Sequence, residues 1–147
     1  FRLDEGKVLE TDFQLRIQHI QEGLTKVPDY EMARITKLKD RLRQNLEKIN
    51  IKDGFDENRF EQEIIFYLEK MDITEEKVRL EQHCKYFLKE LNANKTTKGK
   101  KLNFICQEIG REINTIGSKA NSSDIQRIVV QMKDDLEKVK EQIANIL

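Results

Sequence analysis

Residues 99–121 read GKKLNFICQEIGREINTIGSKAN, and this stretch decides the fold. Its apolar residues recur at alternating spacings of three and four: Leu102, Cys106, Ile109, Ile113 and Ile116. At about 100° per residue, that spacing places them on one continuous face of an α-helix. The stretch therefore predicts a long amphipathic helix that packs against other helices.

The polar side of this predicted helix has an unusual composition. Two rows of neighbouring side chains run along it, Gln107, Arg111, Asn114 and Ser118 in one and Glu108, Glu112, Thr115 and Lys119 in the other. Glu and Lys alone would keep such a helix soluble. The mixture of carboxylates, cations, amides and hydroxyls instead makes this face a candidate functional site.

The rest of the chain predicts further helices of the same kind. We expect helices over residues 3–27, 28–49, 57–70 and 73–91, with breaks at Pro28 and at the Asp53-Gly54 turn. The expected core positions are Ile35, Leu38, Leu42 and Ile49 in the second, Phe60, Ile64, Tyr67 and Met71 in the third, and Ile73, Leu80, Cys84, Phe87 and Leu91 in the fourth. Residues 92–101 are predicted to form a polar loop.

The last helix carries an apolar repeat with coiled-coil-like spacing. Its members are Ile125, Ile128, Met132, Leu136, Val139, Ile143 and Ile146. The alternation typical of strands does not occur in the sequence. The prediction is an all-α, antiparallel bundle of five or six long amphipathic helices that extends over residues 1–147.

Composition narrows the classes of function. The 147 residues include 27 basic and 27 acidic side chains, so the net charge is zero and bulk positive charge cannot drive nucleic-acid binding. Cys84 and Cys106 fall on apolar faces, which predicts buried reduced thiols rather than a zinc site. No apolar run is long enough to span a bilayer, so a cytoplasmic protein is the default expectation.

Known catalytic motifs are absent from the sequence. It contains no GxxxxGK[ST] phosphate loop, no GxSxG nucleophile elbow and no HExxH zinc motif. The aromatic residues mostly fall on predicted core positions, so no aromatic platform for stacking bases is predicted. Nucleotide hydrolysis, serine-hydrolase chemistry and zinc-protease chemistry have no support.

The fourth helix carries a polar stripe beside its core face. Asp72, Glu76, Arg79, His83 and Glu90 lie on it, about a quarter-turn from the apolar residues. Such a half-buried row can be an ion-pair seam between helices or a catalytic site, and Asp72 can also be a helix cap. The residues alone leave these alternatives open.

Three ordered motifs resemble one protein family. The run QEIGREINTIGSKA, from Gln107 to Ala120, closely resembles the C-terminal signature of YicC/YloC-like bacterial endoribonucleases, and DITEEKVRLEQH and RFEQE resemble two upstream signatures. Two positions depart from the family pattern: Gly110 replaces an Asn, and Asn103 replaces an Asp. Because the second change removes a carboxylate, position 103 is given no metal-binding role.

The resemblance implies a function and an assembly. It implies a divalent-metal-dependent endoribonuclease that uses Mn²⁺ or Mg²⁺ and forms a ring-like homo-oligomer, a hexamer, around its RNA. It also implies that an N-terminal domain precedes this region in the whole protein and that the chain is a C-terminal helical domain. Neither a membrane nor DNA is expected as a partner.

Two chemical routes to RNA cleavage suit the residues present. Glu108 and Glu112, with Asp72 or Glu76, could hold a divalent ion that activates water. Alternatively, His83 could act as a general base while Arg79, Arg111 or Lys119 stabilises negative charge, with no metal. The family resemblance favours the first route.

The predicted site follows from these routes. Catalytic roles are predicted for Glu76, Arg79, His83, Arg111 and Glu112, and metal binding for Glu108, Glu112 and Asp72. RNA contacts are predicted for Lys98, Lys100, Lys101, Asn114, Ser118 and Lys119, because a lysine-rich loop beside the polar helix could grip a phosphate backbone. The competing hypothesis is a non-catalytic scaffold for oligomerisation or RNA binding, in which the polar rows are ion-pair seams.

Overall fold

The computed structural model describes residues 3–49, 56–93 and 98–146 and confirms the all-α prediction. Six helices follow one another: α1 (Leu3–Lys26), α2 (Pro28–Ile49), α3 (Glu57–Met71), α4 (Thr74–Leu91), α5 (Lys98–Lys119) and α6 (Ser123–Ile146). The described part of the chain contains no β-strand. None of its helices is sufficiently long and apolar to cross a membrane.

Four of the helices, α1, α4, α5 and α6, form an antiparallel bundle. Around the bundle the order is α1, α4, α5, α6, and each helix packs against the next. The apolar face predicted for α5 is confirmed, because all five of its residues are fully buried. The edge-to-face contact between Phe13 and Phe87, with ring centroids 6.1 Å apart, joins α1 to α4 in the same core.

Helices α2 and α3 form a hairpin with a separate small core. It contains Leu38, Leu42, Leu46, Phe60, Ile64 and Met71. The prediction that Ile49 is a core residue is wrong: Ile49 is 64% exposed, because the inward-facing row runs at intervals of four from Leu38 through Leu46. Ile35 and Tyr67 are half-buried rather than fully buried.

The start of α5 differs from the predicted polar loop. The helix begins at Lys98, so Lys98, Lys100 and Lys101 lie in its first turns, while Lys95 lies outside the described residues. Lysine is a good helix former, and the burial of Leu102 and Ile105 anchors this turn to the core. Lys100 and Lys101 therefore project from an ordered helix.

Both cysteines are buried reduced thiols, as predicted. Cys84 and Cys106 are free and fully buried in the bundle core. Burial raises the pKa of both thiols, that of Cys106 to about 12. At neutral pH they are protonated and behave as small apolar side chains.

Candidate functional site on the α4–α5 face

Four charged side chains join α4 to α5. Arg79 donates through Nε to Glu112 Oε1 at 2.9 Å, and Lys119 donates through Nζ to Glu76 Oε1 at 2.9 Å. Arg79 also lies 3.9 Å from Glu76, which links the two pairs. We call Glu76, Arg79, Glu112 and Lys119 the α4–α5 seam.

Burial in this seam is asymmetric. Glu76 and Glu112 are both buried, with 5% of each residue exposed. The side chains of Arg79 and Lys119 are 44% and 35% exposed. Each buried acid therefore pairs with the inner side of a cation, while the outer side of that cation stays accessible to solvent.

Glu76 is the most constrained member of the seam. Burial opposes its ionisation, but the hydrogen bond from Lys119, a backbone hydrogen bond and the charges of Lys119 and Arg79 outweigh burial and lower its pKa. Its second oxygen, Oε2, is buried and has no hydrogen-bond partner among the described residues. A buried oxygen without a hydrogen-bond partner costs free energy, so burial of Glu76 Oε2 opposes the stabilising contacts of Oε1.

This lowered pKa predicts an acid-sensitive stability. A carboxyl whose pKa is lower in the folded state stabilises the fold above its ordinary pKa, here 4.5, and loses that contribution as pH falls through the folded value. We expect Glu76→Gln to flatten the decline in free energy of unfolding below about pH 4.5. Urea unfolding from about pH 3 to about pH 7 measures this.

The exposed acid Glu75 provides the control for that measurement. Its side chain is 80% exposed and also pairs with Arg79, at 3.1 Å. Glu75→Gln should leave the pH dependence close to that of the unmodified protein, since exposed pairs contribute little. Equal acid sensitivity of the Glu76→Gln variant and the unmodified protein would contradict this account of Glu76.

Asp72 lies at the end of the seam, between α3 and α4. Its Oδ1 accepts hydrogen bonds from Thr74 N at 3.0 Å and from Thr74 Oγ1 at 2.6 Å, and these bonds lower its pKa. Its backbone oxygen accepts a hydrogen bond from Lys119 at 3.3 Å. Asp72 thus orders the first turn of α4, though not as the predicted N-cap, because Ile73 occupies that position.

His83, Glu108 and Arg111 lie further along the same face. Arg111 is 4.0 Å from Glu108, and its side chain is 74% exposed. His83 is half-buried, one helical turn from Arg79 on α4. The antiparallel register that pairs Arg79 with Glu112 puts His83 at the level of Glu108, so the polar face continues beyond the seam.

The predicted RNA-binding residues lie on α5. Lys100, Asn114 and Ser118 are exposed, Lys101 lies 3.9 Å from the buried Glu90, and Lys119 belongs to the seam. Ser118 donates its hydroxyl hydrogen to the backbone oxygen of Thr115 at 2.9 Å. The side chain of Lys98 lies outside the described residues.

Comparison with known proteins decides the family. Residues 27–147 match the family model described as "Endoribonuclease YicC-like, C-terminal". The chain belongs to this YicC-like family. It is 36% identical over 146 residues to the "Probable endoribonuclease YicC" of Clostridioides difficile and 34% identical over 142 residues to the protein of that name from Haemophilus influenzae.

These alignments cover nearly all of this chain and about half of each relative. They include 99% of the chain and 50% of the C. difficile protein, and 97% of the chain and 48% of the H. influenzae protein. The relatives named as probable endoribonucleases are therefore about twice as long as the region compared. The match supports a nuclease at the level of the YicC-like family.

The three predicted metal ligands do not converge in this YicC-like domain. Asp72 Oδ1 accepts hydrogen bonds from Thr74, and the backbone oxygen of Asp72 accepts one from Lys119, which lies seven residues beyond Glu112 on α5. Glu112 Oε1 is occupied by Arg79. Within residues 3–49, 56–93 and 98–146, no group of three or more His, Cys, Asp or Glu side chains is arranged to hold a metal ion.

Two charged clusters were missed by the sequence reasoning. Asp135 on α6 is buried and pairs with Arg16 at 3.1 Å and with His19 Nδ1 at 3.5 Å, both on α1. The sequence signal for this cluster was the carboxylate of Asp135, which directly precedes the apolar residue Leu136. His19 and Asp135 border a cavity of about 340 Å³ on the side of the bundle formed by α1 and α6.

Arg34 belongs to the second missed cluster. It is 6% exposed and donates to the backbone oxygens of Lys119 at 3.3 Å and Ala120 at 3.0 Å. Its cation therefore neutralises the negative end of the α5 dipole. Lys77 on α4 and Glu31 on α2 form an ion pair between these two helices.

Proposed function

We propose that this chain supplies the C-terminal part of an endoribonuclease site that cleaves phosphodiester bonds in RNA on the α4–α5 face. The observation that supports this most directly is the seam, in which buried carboxylates hold Arg79 and Lys119 with their outer sides accessible. Preorganised cations stabilise developing negative charge without the cost of reorganising solvent. A phosphodiester undergoing in-line attack is a matching substrate.

The roles of the side chains follow from their positions. Arg79, Lys119 and Arg111 bind the phosphate oxygens and stabilise the negative charge of the pentavalent transition state. Glu76 and Glu112 position Arg79 and Lys119. His83, half-buried beside them, accepts the proton of the attacking hydroxyl or water, since histidine is the most common general base in enzymes.

Dependence on Mn²⁺ or Mg²⁺ is a further proposal with weaker geometric support. Glu108 and Glu112 are one helical turn apart and carry the oxygen ligands that hard divalent ions prefer. The described carboxylates do not form a group of three that is arranged to hold a metal ion. When bound, a divalent ion would supply an activated water and additional positive charge.

The scaffold hypothesis has one observation in its favour. The seam residues pair with one another across two packed helices, which is also the arrangement of a structural ion-pair network. In that case the α4–α5 face would hold the bundle together or bind RNA without cleaving it. The experiment below separates the two functions.

The assembly and cellular setting are proposed with the function. A YicC-like nuclease acting on cellular RNA would work in the cytoplasm, and we propose that it does so as a homo-oligomer, a hexamer that encloses RNA. RNA is the proposed partner rather than DNA or a membrane.

The testing experiment compares two arginines in nearly identical settings. Arg111 lies 4.0 Å from Glu108 on the proposed face, and Arg127 lies 3.9 Å from Asp124 on α6; both pairs are three residues apart and both arginines are well exposed. Labelled structured RNA would be incubated with the full-length protein and with this chain. Arg111→Gln and Arg127→Gln would be tested in both proteins. Each reaction would be run with Mn²⁺, with Mg²⁺ and with EDTA.

We expect metal-dependent cleavage that falls at least about tenfold in Arg111→Gln and stays unchanged in Arg127→Gln. Cleavage that persists in EDTA would contradict metal dependence while leaving the RNA site standing. The absence of cleavage by the full-length protein under every condition, with RNA still bound, would favour the scaffold.

A further inference from the structure

One row of α5 is exposed along its whole length. It contains Lys100, Phe104, Gln107, Arg111, Asn114 and Ser118, which recur at spacings of four and three. We call these residues the α5 outer row. From first to last they span 18 residues, or about 27 Å of helix.

Phe104 is the unexpected member of this row. It is 61% exposed, whereas most aromatic residues are predicted at core positions. The sequence contained a signal for this, because Phe104 lies between Leu102 and Cys106 and therefore off the apolar stripe. A single exposed apolar residue is ordinary on a protein surface, so the neighbours of Phe104 decide what it means.

The other residues of the α5 outer row are cationic or neutral, and the acid nearest to Phe104 along α5, Glu108, lies in the adjacent row, 4.0 Å from Arg111. The α5 outer row contains no carboxylate, although the chain as a whole has as many acidic as basic residues. Lys100 lies one turn before Phe104, and Arg111 lies two turns after it. An anionic partner that also presents an apolar surface is complementary to this arrangement.

Val130 on α6 provides a contrast. It is 62% exposed, nearly the same as Phe104. Its neighbours one and two turns later, Asp134 and Glu137, are both exposed acids. The position of Phe104, in a row without carboxylates, is thus not shared by Val130.

A second aromatic residue lies at the same level on α4. Two ion pairs connect α4 and α5 here: Arg79 with Glu112, and Glu90 with Lys101. Tyr86, which is 42% exposed, lies between Arg79 and Glu90, and Phe104 lies between Lys101 and Glu112. Both aromatic side chains therefore belong to the half of the α4–α5 face beyond the seam.

We propose that Phe104 is a stacking platform for an unpaired RNA base, with Lys100 and Arg111 binding the phosphates on either side. The substrate class is RNA that is single-stranded where it crosses α5. This inference rests on the proposed function, because it assumes that RNA lies along the α4–α5 face. It adds which part of the RNA is recognised and by which residue.

Only an unpaired base suits such a platform. Within a duplex each base is stacked on its neighbours, so neither of its faces is available to a side chain. Stacking on an aromatic ring tolerates any base, because every base has a π-face. Phe104 would therefore favour single strands without selecting a particular sequence.

The test uses the absence of tryptophan from the chain. Phe104→Trp introduces a single indole at the proposed platform, and Val130→Trp introduces one at the matched position on α6. Both variants would be titrated in EDTA with an RNA oligonucleotide in single-stranded form and annealed to its complement. Indole fluorescence reports stacking, and the anisotropy of a labelled oligonucleotide reports binding independently.

We expect single-stranded RNA to quench the fluorescence of Phe104→Trp strongly, duplex RNA to quench it weakly, and neither to change that of Val130→Trp. RNA binding without quenching in Phe104→Trp, or equal quenching by duplex, would overturn this inference and leave the proposed function intact. No RNA binding by the unmodified chain would overturn the proposed function for this region, and with it the stacking role.

Phe104→Leu provides a test that needs no reporter. Leucine keeps an apolar side chain on the surface but removes the ring, so we expect affinity for single-stranded RNA to fall roughly tenfold. Affinity for the duplex should change little. A blue shift of Phe104→Trp fluorescence with rising protein concentration in the absence of RNA would instead assign this residue to contact between copies and overturn the proposal.

Discussion

Glu112→Gln is expected to lower the rate of RNA cleavage by at least about 100-fold. The substitution keeps the shape of the side chain and an oxygen that can accept the Arg79 hydrogen bond, but it removes the negative charge. Arg79 would then be held less firmly at the proposed phosphate position. Glu112 would also lose the negative charge that a metal ligand needs. Single-turnover cleavage of a labelled RNA measures the effect.

The folded state should tolerate this change. Arg79 keeps its second partner, Glu75, and remains partly exposed, so we expect a loss of about 1 kcal/mol, or about 3 °C in Tm. Glu75→Gln is the matched control, because it removes the other carboxylate that binds Arg79, on the solvent side. Comparable cleavage by both variants, or unfolding of Glu112→Gln, would mean that Glu112 has a structural role and not a catalytic one.

Arg34→Met is expected to have the largest effect on stability. It removes the two hydrogen bonds to the backbone oxygens of Lys119 and Ala120 and leaves those oxygens unpaired in a buried location. Each buried unpaired group costs about 1–3 kcal/mol, so the free energy of unfolding should fall by about 2–4 kcal/mol. The urea midpoint, followed by circular dichroism, measures this loss.

Arg41 supplies the control, since it is an exposed arginine on the same helix. Arg41→Met should change the free energy of unfolding by no more than about 0.5 kcal/mol. If the two variants were equally stable, Arg34 would not anchor the α2–α3 hairpin to the bundle. Arg34 binds the backbone oxygen of Lys119, whose side chain pairs with Glu76. Arg34→Met is therefore also expected to weaken the α4–α5 seam.

The sequence predicted burial well where periodicity encodes it. All five residues of the predicted α5 face are fully buried, and five of the seven repeat residues on α6 are buried as well. Of the other two, Ile128 is half-buried and the side chain of Ile146 lies outside the described residues. Apolar spacing determines which side of a helix faces the core, so such predictions need no knowledge of the partner helix.

Partner choice between helices could not be predicted in the same way. The polar rows showed that α4 and α5 carry complementary charges, but the pairing of Arg79 with Glu112 rather than Glu108 depends on the register between the helices. The role of Arg34 depends on where the α5 C-terminus ends in space. Both are long-range properties, whereas the sequence pattern reports only which residues share a face.

The start of α5 shows a third kind of difficulty. A run of lysines and threonines with a glycine resembles a loop, yet the helix begins at Lys98 because burial of Leu102 and Ile105 outweighs the weak local preference. This shift matters for function. It places Lys100 on the same ordered row as Phe104 and Arg111.

The most direct test of the central claim is to map where RNA touches this YicC-like domain. RNA would be photo-crosslinked to the full-length protein in EDTA, and the linked peptides would be identified by mass spectrometry. We expect cross-links on α5 (Lys98–Lys119) and on the facing side of α4 (Thr74–Leu91). Cross-links confined to α1 and α6, around the cavity beside Asp135, would contradict the assignment of the RNA site to the α4–α5 face.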